Sequence, residues 1–151
     1  MYRKILVPVE NSPFDDAVID HVRELARVCH SSVLLIHVAD GWAARNMSQL
    51  KLRESEEMKK DRDYIERLAE ELESAGIDAE ALLASGDPAS EIAAAAVREG
   101  CDLIAMATHG HKFIGDMIHG SVSHTVRHSS ATPVLLVRGN SRGRLGVVKP
   151  K

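Results

Sequence analysis

Five short aliphatic runs recur along the 151-residue chain, and longer amphipathic stretches separate them. Runs of this length with few polar interruptions predict strands buried on both faces, as in a parallel sheet. Because amphipathic stretches between parallel strands fold as crossover helices, this order favours one α/β domain with a doubly wound sheet. Ligands of such domains bind beyond the carboxyl ends of the strands. The predicted strands are Lys4–Val9, Val33–Val38, Ala79–Ala84, Asp102–Ala107 and Thr132–Val137.

Capping residues mark the starts and ends of the predicted helices. Asn11–Ser12–Pro13 follows the first strand and supplies an N-cap and a proline suited to a first helical turn. Asp87–Pro88 does the same after the third strand. The charged stretch Leu50–Ala75 predicts a long helix with one apolar side that ends at Gly76. A last, short helix is expected from about Ser121 to His128.

The composition is that of an ordinary globular domain, with 44% hydrophobic and 27% charged residues. No run of 18 apolar residues is present, so we expect no membrane-spanning segment and no membrane partner. The N-terminus lacks a signal-peptide cleavage pattern, and the spacing of Cys29 and Cys101 fits neither a zinc nor a redox motif. These features predict a cytoplasmic protein. Residues 139–151 are rich in glycine and arginine, so we expect a single domain over residues 1–138 followed by a basic tail.

The net charge of −3 conceals an asymmetry along the chain. Residues 1–100 carry 12 lysines and arginines and 20 aspartates and glutamates, or −8, whereas residues 101–151 carry 7 and 2, or +5. Four of the seven late basic residues lie in the predicted tail, so an anion site in the fold would depend on backbone N–H groups, Lys112 and histidines. Aromatic residues make up only 3% of the chain and the basic residues form no helical stripe, which argues against a nucleic-acid partner.

A glycine-bearing loop between the fourth strand and the last helix is the most informative motif. Its pattern is Ala107-x2-Gly110-x9-Gly120-Ser121. Glycines allow the backbone to approach a ligand closely, and the first N–H groups of a helix attract anions. With a helix start near Ser121, serine hydroxyls and four backbone N–H groups are expected to face a phosphate. These N–H groups belong to Gly120, Ser121, Val122 and Ser123.

Three segments of the sequence resemble the universal stress protein family in its nucleotide-binding branch. They are ILVPVENS near the start, Gly86–Asp87–Pro88 in the middle, and AMATHG with GSVSHTVRHSSATPVLLVR near the end, and together they span residues 3–138. The resemblance implies a single open five-stranded parallel sheet with helices on both faces, Rossmann-like, in strand order 3-2-1-4-5. It also implies a regulatory stress-response protein that binds ATP, ADP or AMP, hydrolyses it slowly or not at all, and acts on an unidentified protein partner. The same resemblance implies a homodimer through Thr132–Val137.

The resemblance assigns binding residues by position to an adenine pocket, a ribose contact and a phosphate site. Adenine would contact Pro8, Val9, Glu10 and Val38; the ribose would contact Met106, Ala107 and Gly110; and the phosphates would contact Gly120, Ser121, Val122 and Ser123, with His111 and Lys112 nearby. A hydrated Mg²⁺ that bridges the phosphates would have Asp40 or Asp116 as its carboxylate.

Two positions depart from the pattern of the family. Ala107 stands in place of the first glycine of the G-x2-G-x9-G-(S/T) signature, and Glu10 stands where the family usually has aspartate at the end of its first strand. If these changes remove nucleotide binding, the domain acts as an interaction module without a ligand, and the sequence leaves that alternative open.

Enzymatic functions find less support in the residues. Thr108-His109-Gly110-His111 matches the T-x-G-H signature of nucleotidyltransferases, but those enzymes carry it after their first strand and here it follows the fourth. His109-x-His111 has only Asp116 as a nearby candidate metal ligand. We therefore predict no catalytic residue and no metal site, with at most weak ATPase activity. His37 is interpreted simply as a strand-end histidine.

Overall fold

The computed structural model describes residues 1–40, 51–109 and 117–139. Strands and helices alternate as the sequence predicts, and each predicted strand is present with ends that differ by no more than two residues. In chain order, the elements are β1 (Lys4–Pro8), α1 (Asp15–Cys29), β2 (Ser32–Asp40), α2 (Lys51–Ser74), β3 (Ala79–Gly86), α3 (Pro88–Arg98), β4 (Leu103–His109), α4 (Met117–Ser129) and β5 (Val134–Gly139).

All five strands are parallel and lie in the order β3-β2-β1-β4-β5, which confirms the predicted doubly wound sheet. The central strand β1 pairs with β2 from Lys4↔Ser32 to Pro8↔Ile36 and with β4 through Ile5↔Leu103. The chain winds outward from β1 to β3 and then returns to the other side of β1 for β4. The crevice between the carboxyl ends of β1 and β4 is therefore the topological switch point, where ligands of such sheets bind.

Helices cover both faces of the sheet, because alternate residues of each strand point to opposite sides. On β1, Ile5 and Val7 join the core beneath α1 and α2, whereas Leu6 joins the core beneath α3 and α4. All three side chains are fully buried, which explains why this run has no polar alternation. Burying such an aliphatic side chain contributes about 1.5–3 kcal/mol relative to leaving it exposed.

The start of α3 follows the capping pattern of its sequence. Pro88 occupies the first helical position, and the Asp87 carboxylate accepts a hydrogen bond from the N–H of Ser90 at 3.0 Å. Hydrogen bonds from the hydroxyl and the N–H of Ser90 lower the pKa of Asp87. The helix ends at Arg98, two residues before the left-handed Gly100 that the sequence places after it.

The start of α1 differs from the predicted one. This helix begins at Asp15, and its N-cap residue Phe14 makes no side-chain cap, so the predicted cap at Asn11–Ser12–Pro13 is wrong. The buried carboxylate of Asp15 accepts hydrogen bonds from the N–H groups of Glu10 and Ser12, which holds the intervening residues in a loop. These hydrogen bonds, which join residues five and three positions apart in the chain, override the predicted cap.

The described residues reach to the end of the predicted domain. Strand β5 includes Gly139, the first residue of the predicted tail, and the rest of that tail lies outside the described residues. Within the described ranges, no helix combines the length and the apolar character needed to cross a membrane.

Candidate functional site

A cavity of about 410 Å³ opens at the carboxyl ends of β1, β2 and β4, next to the switch point. Its volume lies within the range of about 300–1,000 Å³ that small-molecule sites occupy. The lining residues come from the ends of these strands and from three helices. They are Pro8, Val9, Glu10, Asp15, Ile36, His37, Val38, Pro88, Ile92, Met106, Ala107 and Val122.

Seven of the thirteen predicted binding residues line this cavity. They are Pro8, Val9, Glu10, Val38, Met106, Ala107 and Val122. Gly120 and Ser121 lie on α4, and the half-buried Ser123 follows Val122 on the same helix. The other three predicted residues, Gly110, His111 and Lys112, lie outside the described residues, as does Asp116. Thr108 and His109 are the last residues of β4.

The walls of the cavity are mainly apolar. Val9, Ile36 and Met106 are almost fully buried and present aliphatic surface from three adjacent strands. No lysine or arginine is among the described residues that line the cavity, whereas Glu10 and Asp15 add carboxylates. The described part of the site is therefore suited to an apolar group, and positive charge for an anion has to come from elsewhere.

The methyl group of Ala107 fits the backbone at this position. Ala107 lies inside β4 and pairs with Val137 of β5. Among the described residues, Asn11 and His30 are the only non-glycine residues with positive φ. Because Ala107 has an ordinary strand conformation, replacing the family's glycine by alanine here causes no left-handed strain.

The backbone of β2 places a donor and an acceptor at the cavity. Val9 N–H donates to the carbonyl of Ile36 at 2.9 Å, so the backbone polar groups of Ile36 face β1. In a parallel sheet, the backbone N–H and C=O groups of two residues that lie two positions apart on one strand point to the same neighbouring strand. The N–H and C=O of Val38 therefore face the cavity side of β2, past Pro8, the last residue of β1.

Asp15 is a site residue that the sequence analysis missed. Its carboxylate is 2% exposed and accepts hydrogen bonds from Glu10 N–H, from Ser12 N–H and, at 2.6 Å, from the hydroxyl of Tyr64 on α2. Burial, followed by the hydrogen bond to Asp15, raises the pKa of Tyr64, so this hydroxyl stays protonated as a donor. Asp15 thus fixes the loop that carries Glu10 and ties it to α2. The only local signal for this role is an acidic residue in the first turn of α1.

His37 also has a larger role than the sequence indicates. Its Nδ1 lies 2.9 Å from the carbonyl oxygen of Val9, and its Nε2 lies 3.2 Å from Oδ2 of Asp61 on α2. The side chain is 13% exposed and lines the cavity. His124 and His128, by contrast, lie on the exposed side of α4.

The start of α4 differs from the predicted one and changes the expected phosphate site. This helix begins at Met117, so Ser121, Val122 and Ser123 lie in its second turn, where an N–H group bonds to the carbonyl four residues earlier. The expectation that their N–H groups lie at the helix start is wrong for this structure. A single glycine costs a helix only about 1 kcal/mol relative to alanine, and Gly120 does not interrupt α4. Contact between these residues and phosphate stays a prediction.

In the described part of the chain, no group of three or more histidine, cysteine, aspartate or glutamate side chains is close enough together to hold a metal ion. The carboxylates that the sequence analysis considered for a hydrated Mg²⁺, those of Asp40 and Asp116, are not among the described side chains.

Comparison with known proteins agrees with the fold and the order of the motifs. The pattern that defines the universal stress protein family matches residues 1–138. The chain belongs to this family. Universal stress protein MJ0577 of Methanocaldococcus jannaschii is 31% identical over 91% of this chain and 96% of its own length.

Solved structures of the family share the sheet and its helices. The structure of protein MJ0577 matches 93% of this universal stress protein and 98% of its own chain, with a TM-score of 0.78 and 28% identity. A universal stress protein from Archaeoglobus fulgidus, solved in complex with dAMP, matches 90% of this chain and 98% of its own, with a TM-score of 0.67 and 20% identity. The family assigned from the sequence, that of the universal stress proteins, is therefore confirmed.

Proposed function

We propose that this universal stress protein binds an adenine nucleotide, ATP in particular, in the cavity at the carboxyl ends of β1, β2 and β4. Binding would make it a regulatory module of a stress response, with slow or absent hydrolysis, that acts on a protein partner in the cytoplasm. The observation that carries the proposal is the pair of Val38 backbone groups beside an apolar cleft. A donor next to an acceptor complements N1 and the 6-amino group of adenine, which accept and donate respectively.

The apolar walls support the same proposal. An adenine ring that lies between the ends of β2 and β4 would contact Val9, Ile36 and Met106. Glu10 keeps a carboxylate at the end of β1, where the family usually has aspartate. The strand conformation of Ala107 favours this function over the alternative in which that substitution abolishes nucleotide binding. A relative of the same fold from A. fulgidus has been solved in complex with dAMP, an adenine nucleotide.

The phosphate site is proposed at Gly120, Ser121, Val122 and Ser123, with His111 and Lys112 as cationic partners. In the described helix, the N–H groups of Ser121, Val122 and Ser123 belong to the second turn. Phosphate can accept hydrogen bonds from them only if residues 117–120 leave the helical conformation when the nucleotide binds. Gly120 lowers the cost of that change, because glycine is the non-proline residue with the weakest preference for a helix interior.

We further propose a homodimer through β5. This strand lies at one edge of the sheet, and its Leu136 side chain is 38% exposed, which is high for a large aliphatic residue. An exposed edge strand presents unpaired backbone groups that a second strand can cover. A dimer of this kind would also serve the interaction-module alternative, since it needs no nucleotide.

The base-recognition proposal is tested by isothermal titration with ATP and GTP. Guanine presents a donor at N1 and an acceptor at O6. In the same position, its N1–H would face the Val38 N–H, and its O6 would face the Val38 carbonyl, so neither pair could form a hydrogen bond. Two lost hydrogen bonds at about 1 kcal/mol each predict that ATP binds at least about 30-fold more tightly than GTP. Equal affinities for the two nucleotides, or no ATP binding at millimolar concentration, would contradict the proposal.

A further inference from the structure

The ladder between β1 and β2 ends one hydrogen bond earlier than regular parallel pairing allows. The register Pro8↔Ile36 and the bond from Val9 N–H to the Ile36 carbonyl make Val38 N–H to the Val9 carbonyl the next bond in the series. Among the described residues, that bond is not formed. The Val9 carbonyl instead faces Nδ1 of His37 at 2.9 Å. Because a carbonyl oxygen only accepts, Nδ1 is the donor and carries a proton.

We infer that His37 is a positioning residue of the nucleotide pocket: its Nδ1–H binds the Val9 carbonyl and draws it out of the ladder, and the Val38 N–H is thereby left open to the edge of the base. This inference rests on the proposed function for its consequence in binding. Its structural part, the competition of two donors for one carbonyl, holds with or without a nucleotide.

Asp61 holds the imidazole in the orientation that this competition needs. Its Oδ2 lies 3.2 Å from Nε2 of His37, and both side chains are mostly buried. A carboxylate on the far nitrogen of a histidine fixes the ring orientation, as it does for histidine ligands of metals. Since Asp61 belongs to α2, the contact links this long helix to the position of Val9.

Apart from Val38 N–H, the neighbouring side chains described around His37 offer the Val9 carbonyl no donor. On β3, the residue in register with His37 is the apolar Leu83. The neighbouring hydroxyl of Tyr64 on α2 already donates to Asp15. Glu10 and Asp15, which line the same cavity, present carboxylates that accept hydrogen bonds. His37 is therefore the group on which the open state of Val38 N–H depends.

The structural part is tested by NMR on the ¹⁵N,¹³C-labelled chain without nucleotide. We expect no through-hydrogen-bond coupling between the Val38 amide nitrogen and the Val9 carbonyl carbon in the wild-type protein. His37→Leu removes the competing donor, so the coupling should appear, and exchange of the Val38 amide with solvent should slow at least about tenfold. His37→Met makes the same change with a flexible side chain if the leucine variant folds poorly.

Two further variants separate positioning from a general effect on the fold. His37→Asn places an amide donor close to where Nδ1 stood, so the wild-type pattern should return. His21→Leu changes an exposed histidine of α1 and should leave the Val38 signals unchanged. A coupling already present in the wild-type protein, or a Val38 amide that stays open in both the leucine and methionine variants, would overturn the inference.

The binding consequence is tested with ATP and 1-deaza-ATP, which lacks the N1 acceptor but keeps the 6-amino group. The wild-type protein and His37→Asn should prefer ATP by about fivefold, the equivalent of one net hydrogen bond. His37→Leu should bind both nucleotides with nearly equal, reduced affinity. A fivefold preference retained in His37→Leu would contradict the role of His37. No ATP binding to the wild-type protein, together with the expected NMR pattern, would refute the proposed function but support the competition for the Val9 carbonyl.

Discussion

Replacing Asp15 by asparagine tests how strongly one buried carboxylate organises the loop between β1 and α1. In the wild-type protein, Oδ2 of Asp15 accepts hydrogen bonds from Ser12 N–H at 3.0 Å and from the Tyr64 hydroxyl at 2.6 Å, while Oδ1 accepts from Glu10 N–H at 3.1 Å. An asparagine side chain keeps one acceptor oxygen and turns an NH₂ group toward the remaining donors. With that oxygen in the Oδ2 position, the NH₂ group faces Glu10 N–H, which loses its bond to Oδ1 and keeps only the longer contact of 3.2 Å to Oδ2.

The expected cost follows from the number and type of these bonds. A hydrogen bond to a charged group contributes about 1.5–3 kcal/mol, and a buried donor without a partner costs about 1–3 kcal/mol. Because one bond is lost and the others lose the charge of their acceptor, we expect Asp15→Asn to lower the free energy of unfolding by about 2–4 kcal/mol. That is a large part of the 5–15 kcal/mol that is typical of a folded domain.

The assay is urea unfolding followed by circular dichroism at pH 7, with Asp16→Asn as the matched control. Asp16 occupies the same helical turn but is exposed. Its substitution therefore removes the same charge without taking an acceptor away from a buried donor. A double-mutant cycle with Tyr64→Phe should give a coupling of at least about 1 kcal/mol between Asp15 and Tyr64. If Asp15→Asn and Asp16→Asn unfold within about 0.5 kcal/mol of each other, the loop does not depend on the carboxylate as argued.

Three further predictions concern the phenol, the phosphate loop and the sheet edge. The pKa of Tyr64 is raised above its ordinary value of 10.0, so the unfolded state releases this proton at a lower pH than the folded state does. The free energy of unfolding should therefore fall above about pH 10, by up to about 1.4 kcal/mol per pH unit. Tyr64→Phe should flatten that fall in urea midpoints measured from pH 9 to 11. Gly120→Val should reduce ATP affinity at least about tenfold by dialysis while circular dichroism stays unchanged, since a β-branched side chain blocks the approach of phosphate; full affinity in the folded variant would refute the phosphate site. Leu136→Lys should convert a dimer to a monomer in light scattering, because it places a charge at the exposed edge strand; an unchanged mass would exclude β5 as the interface.

Much of the fold is visible in local sequence patterns. Aliphatic runs such as that of β1 predict strands because both of their faces are buried, and the structure confirms each one. The cap at Asp87–Pro88 is equally local, since donor and acceptor lie three residues apart. The resemblance to the family assigned seven residues that line the cavity, because the ends of parallel strands meet at one edge of the sheet.

The sequence by itself therefore determined the order of strands and helices, the family and the edge of the sheet where the cavity lies. Only the tertiary structure decided that Asp15 joins Tyr64, 49 residues away, and that His37 lies between Val9 and Asp61. The starts of α1 at Asp15 and of α4 at Met117 likewise came from the structure and differ from the predicted ones. The physical reason is that periodicity and caps act between near neighbours in the chain, whereas a hydrogen bond between distant side chains exists only after the sheet has brought its helices together.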